Sequence, residues 1–187
     1  MRSKIGVFLG VVALAVLTVV AGAGTASASA GFTAQAEAAG LSAEKVDALQ
    51  AKVDAYLAKL KGRGTQVSPN QIDLGGAVLN VTVPGEATPR QLGTSGVARV
   101  IQCDGGTLYG WFCAYQYEYR GGDNIGMYNC DNYFIPWNTF GSWENNQTSG
   151  TVPRMHYVSG GYGPMPPAYS RQFTGVGWGG VHSITNC

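Results

Sequence analysis

The four cysteines are the residues of this chain best suited to covalent chemistry, and their pattern indicates disulfides. They are Cys103, Cys113, Cys130 and Cys187 of a 187-residue sequence. An even number of cysteines in a short, aromatic-rich segment is typical of a disulfide framework. No Cys-x-x-Cys pair occurs among them, so their spacing does not indicate a zinc site.

Four cysteines allow three pairings. We expect Cys103 to pair with Cys113, because residues ten apart can close a hairpin. Cys130 would then pair with Cys187 and tie the last strand to the first half of the segment.

The two histidines, His156 and His182, are the residues that could activate a nucleophile. No Gly-x-Ser-x-Gly, His-Glu-x-x-His or phosphate-loop motif accompanies them in the sequence. We interpret both as surface or strand residues, and we predict that the protein is not an enzyme.

The stretch that must position these groups runs from Phe112 to Gly121. Aromatic and polar residues alternate from Phe112 to Tyr119, which is the two-residue period of a half-buried strand. Gly-Gly-Asp-Asn at 121–124 has turn composition, so we predict a β-hairpin. The alternation places Phe112 on one face and Cys113, Tyr115, Tyr117 and Tyr119 on the other.

Composition excludes some classes of function. The net charge is +1 and only 12% of residues are charged, so no electrostatic attraction to nucleic acid is expected. Residues 101–187 contain three Arg, no Lys and five acidic residues, which makes this segment mildly acidic. Its short apolar runs are punctuated by Gly, Pro and Asn, a pattern that indicates an all-β domain.

The N-terminus predicts secretion. Basic residues precede an apolar run from Ile5 to Ala21, and Ala-x-Ala cleavage sites end at Ala28 or Ala30. We interpret residues 1–30 as a signal peptide and expect an extracellular protein without membrane association after cleavage. A retained membrane anchor is the alternative, since the run reaches the short end of a spanning helix.

Residues 31–100 predict a helix, a short hairpin and a linker, with a domain boundary near Val100. Apolar residues recur at three- and four-residue steps from Leu41 to Leu60, with Ser42 as N-cap. Residues 72–74 and 78–83 flank Gly75 and Gly76 as a two-stranded element, and Gly- and Pro-rich sequence follows it. The segment packs on the main domain or on a partner, or it is a pro-segment.

Residues 101–187 contain a faint internal repeat. Ser142 and Asn145 are matched by Ser183 and Asn186, and the aromatic spacing of Phe112 and Tyr119 recurs at Tyr162 and Tyr169. A period near forty residues indicates two tandem Greek keys. Each would leave one sheet face exposed, so we predict that the two pack into a sandwich.

The segment resembles the secreted bacterial metallopeptidase-inhibitor family with a βγ-crystallin-like fold. The resemblance rests on Cys103 through Tyr115, the glycine turn, Cys130, Gly141 to Asn146, and the terminal residues 181–187. It implies a two-Greek-key scaffold preceded by the signal peptide, helix and hairpin. The scaffold positions it assigns, besides the four cysteines, are Phe112, Tyr119, Gly121, Ser142, Trp143 and Ser183.

The resemblance also implies that Gly121 takes a backbone conformation which a side chain would forbid. It implies a candidate calcium segment as well, formed by Asn145, Asn146 and Ser149. A polar turn in which the Asn side chains cap their own backbone is the alternative for that segment. No other cofactor is expected.

The function implied is that of a disulfide-bonded binding module which inhibits a secreted metallopeptidase, with another extracellular protein as the alternative partner. A structural or calcium-binding envelope module and a killer-toxin-like secreted protein are the other hypotheses. The resemblance assigns no inhibitory loop. The segment from Tyr128 to Trp137 is the candidate for an exposed aromatic surface, with a buried plug as the alternative.

Overall fold

Antiparallel β-sheets dominate the computed structural model, which describes residues 23–92 and 102–187. Within those ranges there are two α-helices, two short 3-10 helices (Glu118–Arg120 and Trp178–Gly180) and eleven strands. The α-helices are α1 (Ala23–Ala38) and α2 (Ala43–Leu60). The strands are β1 (Thr65–Ser68), β2 (Gln71–Asp73), β3 (Ala77–Asn80), β4 (Trp111–Tyr115), β5 (Asn124–Met127), β6 (Asn132–Phe134), β7 (Phe140–Asn146), β8 (Arg154–Tyr157), β9 (Tyr162–Pro164), β10 (Ser170–Gly177) and β11 (Val181–Thr185).

Helix α2 confirms the amphipathic pattern in the sequence. The Ser42 side chain accepts a hydrogen bond from the backbone N–H of Lys45, which satisfies one of the free donors of the first turn. The helix ends where Lys61 takes a left-handed conformation with φ of 51°. Its buried face is formed by Val46, Leu49, Val53, Tyr56 and Leu60.

The larger sheet has seven strands in the order β1-β2-β3-β5-β4-β7-β10. Strands β2 and β3 form the predicted hairpin around Gly75 and Gly76, whose φ angles are 76° and 126°. Strand β3 pairs with β5, from Ala77 opposite Met127 to Asn80 opposite Asn124. Strands on both sides of the predicted boundary near Val100 therefore belong to one sheet, while the boundary itself lies outside the described residues.

The smaller sheet has four strands in the order β6-β11-β8-β9. Both sheets contribute side chains to one hydrophobic core, with Phe112 and Ile125 from the larger sheet and Tyr133 and Ile184 from the smaller. The apolar face of α2 belongs to the same core. Burial of this shared apolar surface stabilises helix and sheets together.

Both predicted disulfides form. The Cα atoms of Cys103 and Cys113 are 5.8 Å apart, and those of Cys130 and Cys187 are 5.4 Å apart. The first joins the segment before β4 to β4 itself, and the second joins the chain end to the segment before β6. Such pairs are expected in an oxidising compartment, which is consistent with an extracellular protein.

Most of the predicted signal peptide lies outside the described residues, which begin at Ala23. Among the helices that the structure does describe, none combines the length and apolar character needed to cross a bilayer.

Candidate functional site

The Tyr119 loop, residues 116–123, connects β4 to β5 and carries an unusual backbone. Tyr119 and Arg120 have φ angles of 54° and 67°, which is the left-handed region that side chains rarely adopt. The Tyr119 side chain is 73% exposed, and Tyr117 beside it is half exposed. Strained backbone persists only where surrounding contacts hold it, and it concentrates at functional sites. This loop is therefore the candidate site.

The side chain of Ser142 on β7 stabilises the strained turn through two hydrogen bonds. The backbone N–H of Arg120 donates to Ser142 Oγ at 3.0 Å, and the same hydroxyl donates to the Tyr117 carbonyl at 2.9 Å. Ser142 is fully buried, and both hydrogen bonds are partly buried. One hydroxyl thus fixes the backbone on both sides of the exposed tyrosine.

An ion pair fixes the loop to the middle of β7. Arg120 Nε lies 2.8 Å from Glu144 Oε2, and Arg120 Nη2 lies 2.6 Å from Glu144 Oε1. The hydroxyls of Thr107 and Tyr115 also donate to Glu144 Oε2, at 3.1 and 3.4 Å. This two-bond geometry is the strong form of an arginine–carboxylate contact.

The electrostatics of the pair follow from burial and contact. Burial alone raises the pKa of Glu144, but the hydrogen bonds and charge of Arg120, with help from Thr107 and Tyr115, outweigh it and lower the pKa below its ordinary value. The hydrogen bond to Glu144 raises the pKa of Arg120. Burial raises the pKa of Tyr115, so its hydroxyl stays protonated and donates. Near neutral pH, the Glu144 carboxylate is charged and accepts hydrogen bonds from Arg120, Thr107 and Tyr115.

The edge strand β10 supports the loop from the side. The Arg120 guanidinium lies 4.7 Å from the centre of the Phe173 ring, and the Arg171 guanidinium lies 5.0 Å from it. The backbone N–H of Gly175 donates to Glu118 Oε1 at 2.8 Å. These cation–π and hydrogen-bond contacts restrict the loop in addition to the contacts with β7.

Asp123 closes the loop at its other end and binds it to helix α2. Its carboxylate is fully buried and accepts from Lys52 Nζ and from the Thr82 backbone N–H, both at 2.7 Å. It also accepts from the Tyr56 hydroxyl, which in turn accepts from the Trp137 indole N–H at 3.0 Å. Burial first, and then the charge of Asp123, raises the pKa of Tyr56 and keeps it a donor.

The structure corrects the expectation for Gly121. Its φ is −79° and its ψ is 159°, an extended conformation that any residue can adopt. The left-handed positions are Tyr119 and Arg120 before it and Gly122 after it, where φ is 73°. The contacts with Ser142 and Glu144 hold Tyr119 and Arg120 in the left-handed region before Gly121. The position that requires glycine is Gly122, because its φ is positive and a Cβ there would lie 2.5 Å from the Tyr117 ring.

Strand β4 is also shorter than predicted. It ends at Tyr115, and the Gln116 backbone N–H donates to the Asp123 carbonyl at 2.8 Å where the loop begins. Phe112 and Tyr115 do lie on opposite faces, and both faces are buried there. Tyr117 and Tyr119 leave the sheet and become exposed instead of continuing the alternation.

The other scaffold residues that the resemblance assigned lie in different parts of the structure. Phe112 and Trp143 stack on the inner face of the sheet with ring centres 5.9 Å apart. Ser183 is buried on β11 of the smaller sheet and does not reach the loop.

The ion pair between Arg120 and Glu144 was not predicted from the sequence. The sequence shows Glu144 as the one charged residue of a strand that mixes aromatic and polar residues, and that signal does not identify a partner.

A groove of about 390 Å³ adjoins the ion pair, lined by residues that include Thr107, Glu144, Tyr169 and Arg171. Arg171 lies opposite Glu144 in the register of β10 and β7. Among the described residues no carboxylate forms an ion pair with Arg171, whereas Glu144 is paired with Arg120. The groove therefore has a net positive character next to the exposed Tyr119 loop.

In the candidate calcium segment, Asn145 and Asn146 end strand β7, and a turn that contains Ser149 follows them. Asn145 Nδ2 donates to the Thr151 carbonyl at 3.1 Å, and Asn146 Nδ2 donates to the Thr107 carbonyl at 2.7 Å. Ser149 is exposed. Residues 23–92 and 102–187 contain no cluster of three His, Cys, Asp or Glu suited to a metal. Calcium binding by Asn145, Asn146 and Ser149 stays a prediction.

The second half of the segment 128–137 is mostly buried, and the segment does not form the exposed aromatic surface that was one of its two predicted roles. It corresponds to the alternative, a buried plug. Tyr133, Ile135 and Trp137 are buried, and among the aromatic residues of the segment only Tyr128 is more than half exposed. Tyr133, Ile135 and Trp137 belong to the hydrophobic core, and the Trp137 indole N–H donates to the buried Tyr56 hydroxyl. The exposed aromatic residues near the Tyr119 loop are instead Tyr117, Phe140 and Tyr169.

Both histidines lie on the smaller sheet. His156 Nε2 is 2.9 Å from Thr185 Oγ1, and His182 Nδ1 is 3.3 Å from Ser183 Oγ. The rings contact Tyr162 and Phe134, respectively. These are strand residues, as their sequence context predicted.

Compared with known proteins, the chain matches no family model, no curated protein sequence and no solved structure.

Proposed function

We propose that this protein is a secreted, crystallin-like binding module that inhibits a metallopeptidase by presenting the Tyr119 loop. The observation that carries the proposal is an exposed tyrosine on left-handed backbone, braced by Ser142, Glu144 and Gly175. Such bracing keeps the loop in one conformation before the partner arrives.

Rigidity is what an inhibitory loop requires. Association costs free energy for every side chain and loop that becomes ordered, and a pre-ordered loop avoids that cost. The Tyr119 loop is anchored at Gln116 and Asp123 by their mutual backbone contact, at Arg120 by β7, and at Glu118 by β10. Two disulfides restrain the surrounding scaffold.

The backbone of the loop also disfavours cleavage. Left-handed dihedrals at Tyr119 and Arg120 differ from the extended form in which clefts and sheet edges take up a peptide. Reaching that form would break the contacts with Ser142 and Glu144. The loop can therefore occupy a peptidase surface without becoming a substrate.

Tyr119 is the expected anchor of the interface. Exposed tyrosines supply a large contact area at low conformational cost and are common among the residues that dominate binding energy. Tyr117 and Phe140 extend the aromatic surface, and Arg171 adds a positive charge beside it.

The test is a titration of a thermolysin-like metallopeptidase with the mature full-length protein. We expect stoichiometric loss of peptidase activity, with the inhibitor recovered intact. Tyr119→Ala should weaken inhibition by about a hundredfold, because loss of a central anchor costs about 2–4 kcal/mol.

Tyr162→Ala is the matched control, since Tyr162 is 65% exposed but lies on the smaller sheet. It should inhibit like the wild type. Full peptidase activity at a large excess of wild-type protein, or equal inhibition by Tyr119→Ala, would contradict the proposal.

A further inference from the structure

A second groove lies at the opposite end of β4 from the Tyr119 loop. Its volume is about 470 Å³, within the range of small-molecule sites, which is roughly 300–1,000 Å³. Tyr109 and Tyr128 line it together with Gln147, Thr148 and Thr151. None of these residues belongs to the inhibitory surface proposed above.

Two exposed aromatic rings border the groove. Tyr109 is 66% exposed and Tyr128 is 56% exposed. Tyr128 is nevertheless held in place, because its ring packs on Trp111 with centres 5.0 Å apart. Gly110, with φ of 88°, lets the chain pass so close that a Cβ there would lie 3.2 Å from the Tyr128 ring. A fixed, solvent-exposed ring is a platform for a flat apolar surface.

The remaining side chains of the lining are uncharged. The described side chains around the groove are Tyr, Asn, Gln, Thr and the cystine between Cys130 and Cys187, and none of them carries a charge. Gln147 is only 6% exposed, and its Oε1 has no hydrogen-bond partner in the described part of the chain. A buried acceptor without a donor costs about 1–3 kcal/mol, so a ligand hydroxyl that reached it would be stabilising.

These features select a ligand that combines flat apolar faces with many neutral hydroxyls. Pyranose sugars have this combination, because their axial C–H groups form apolar faces while their hydroxyls lie around the rim. An anionic ligand would find no cationic side chain among those that line the groove. A purely apolar ligand would leave Gln147 and the threonine hydroxyls without partners.

We propose that this groove binds a neutral β-linked pyranose oligosaccharide. One sugar ring stacks against Tyr109 and Tyr128, and a hydroxyl donates to Gln147 after a small rotation of its amide. β-Linked chains are favoured because equatorial linkages keep successive rings extended and expose both faces to aromatic side chains. This inference does not depend on peptidase inhibition, because the groove and the Tyr119 loop share no residue.

Isothermal titration calorimetry of the full chain tests the proposal with three probes. Cellohexaose and chitohexaose are both β-linked and differ in their acetamido groups, while maltohexaose is α-linked. We expect saturable binding of at least one β-linked probe, accompanied by a change in tryptophan fluorescence from Trp111 next to Tyr128. Absence of binding by both, or equal binding of maltohexaose, would overturn the proposal.

Variants then locate the site. Tyr109→Ala should weaken oligosaccharide binding by about tenfold or more, since stacking on an exposed ring accounts for much of the affinity. The matched control is Tyr162→Ala, whose side chain is 65% exposed on the other sheet, and it should bind like the wild type. Tyr109→Ala should leave peptidase inhibition unchanged. Undiminished oligosaccharide binding by Tyr109→Ala would exclude this groove.

Discussion

Arg120 and Glu144 are joined by two hydrogen bonds of 2.8 and 2.6 Å that connect a left-handed loop residue to the centre of β7. The two residues are 24 positions apart in sequence. The Glu144 carboxylate also receives the hydroxyls of Thr107 and Tyr115. The pair therefore couples the conformation of the exposed Tyr119 to the body of the larger sheet.

Glu144→Gln is expected to lower stability by about 2 kcal/mol, because the amide nitrogen would face at least one of the donors that now meet the carboxylate. Peptidase inhibition should weaken as well, since the Tyr119 loop loses its brace. Urea unfolding and inhibition titrations measure the two effects. Glu37→Gln is the matched control for both measurements and should change neither, because Glu37 is exposed on α1 and lies outside the Tyr119 loop and the groove beside it. Unchanged stability and inhibition in Glu144→Gln would show that the pair is not a brace.

Acid should selectively weaken the contribution of Glu144. Its folded-state pKa is lowered, so this contribution is fully present above the unfolded-state pKa of about 4.3 and is lost as pH falls through the folded value. The stability difference between wild type and Glu144→Gln should therefore be constant near neutral pH and shrink below about pH 4. Urea denaturation between neutral and acidic pH measures it. A difference that stayed constant throughout acidification would contradict the predicted linkage.

Asp123→Asn is expected to destabilise the protein by about 3 kcal/mol. The buried carboxylate accepts from Lys52, Tyr56 and Thr82, so one of these donors would face the new amide nitrogen. Asp104→Asn is the control, because Asp104 is exposed. Thermal melting of both variants decides the outcome, and equal melting temperatures would contradict it.

A fragment of residues 102–187 tests whether the second half of the chain depends on its contacts with residues before 92. It lacks α2 and β1 to β3, which cover the core and pair with β5. We expect it to remain unfolded, with little dispersion in its amide NMR spectrum. A well-dispersed spectrum would show that this half folds alone and that the sheet contacts of β3 are dispensable.

Gly122→Ala should cost more stability than Gly121→Ala. Gly122 has φ of 73°, and a Cβ there would lie 2.5 Å from the Tyr117 ring. Strain at such a position costs about 1 kcal/mol or more. Gly121 has an allowed φ, although a Cβ would come within 3.1 Å of the Glu118 carbonyl oxygen. The reverse order of melting temperatures would contradict the assignment of the left-handed residues.

Local pattern determined several features by itself. The spacing of Val46, Leu49 and Val53 specified the buried face of α2, because an α-helix repeats every 3.6 residues. Gly75 and Gly76 specified the β2–β3 hairpin, since glycine adopts the positive φ angles of its turn without strain. The ten-residue separation of Cys103 and Cys113 favoured one of the three possible pairings, and both disulfides of that pairing form. In each case the feature depends on residues close together in the sequence, or, for the disulfides, on a choice among three cysteine pairings.

Only the tertiary structure decided which distant residues meet. Lys52 and Asp123 are 71 positions apart, and their contact depends on the register of β3 against β5, which no local pattern specifies. The Gly- and Pro-rich stretch before residue 100 has the composition of a linker, yet the strands on either side of it pair. Likewise, the family resemblance assigned to Gly121 a backbone conformation that a side chain would forbid, and the structure does not show it there. The bonds from Ser142, Glu144 and Gly175 instead place left-handed backbone at Tyr119 and Arg120, because long-range contacts can outweigh the strain of a few unfavourable dihedrals.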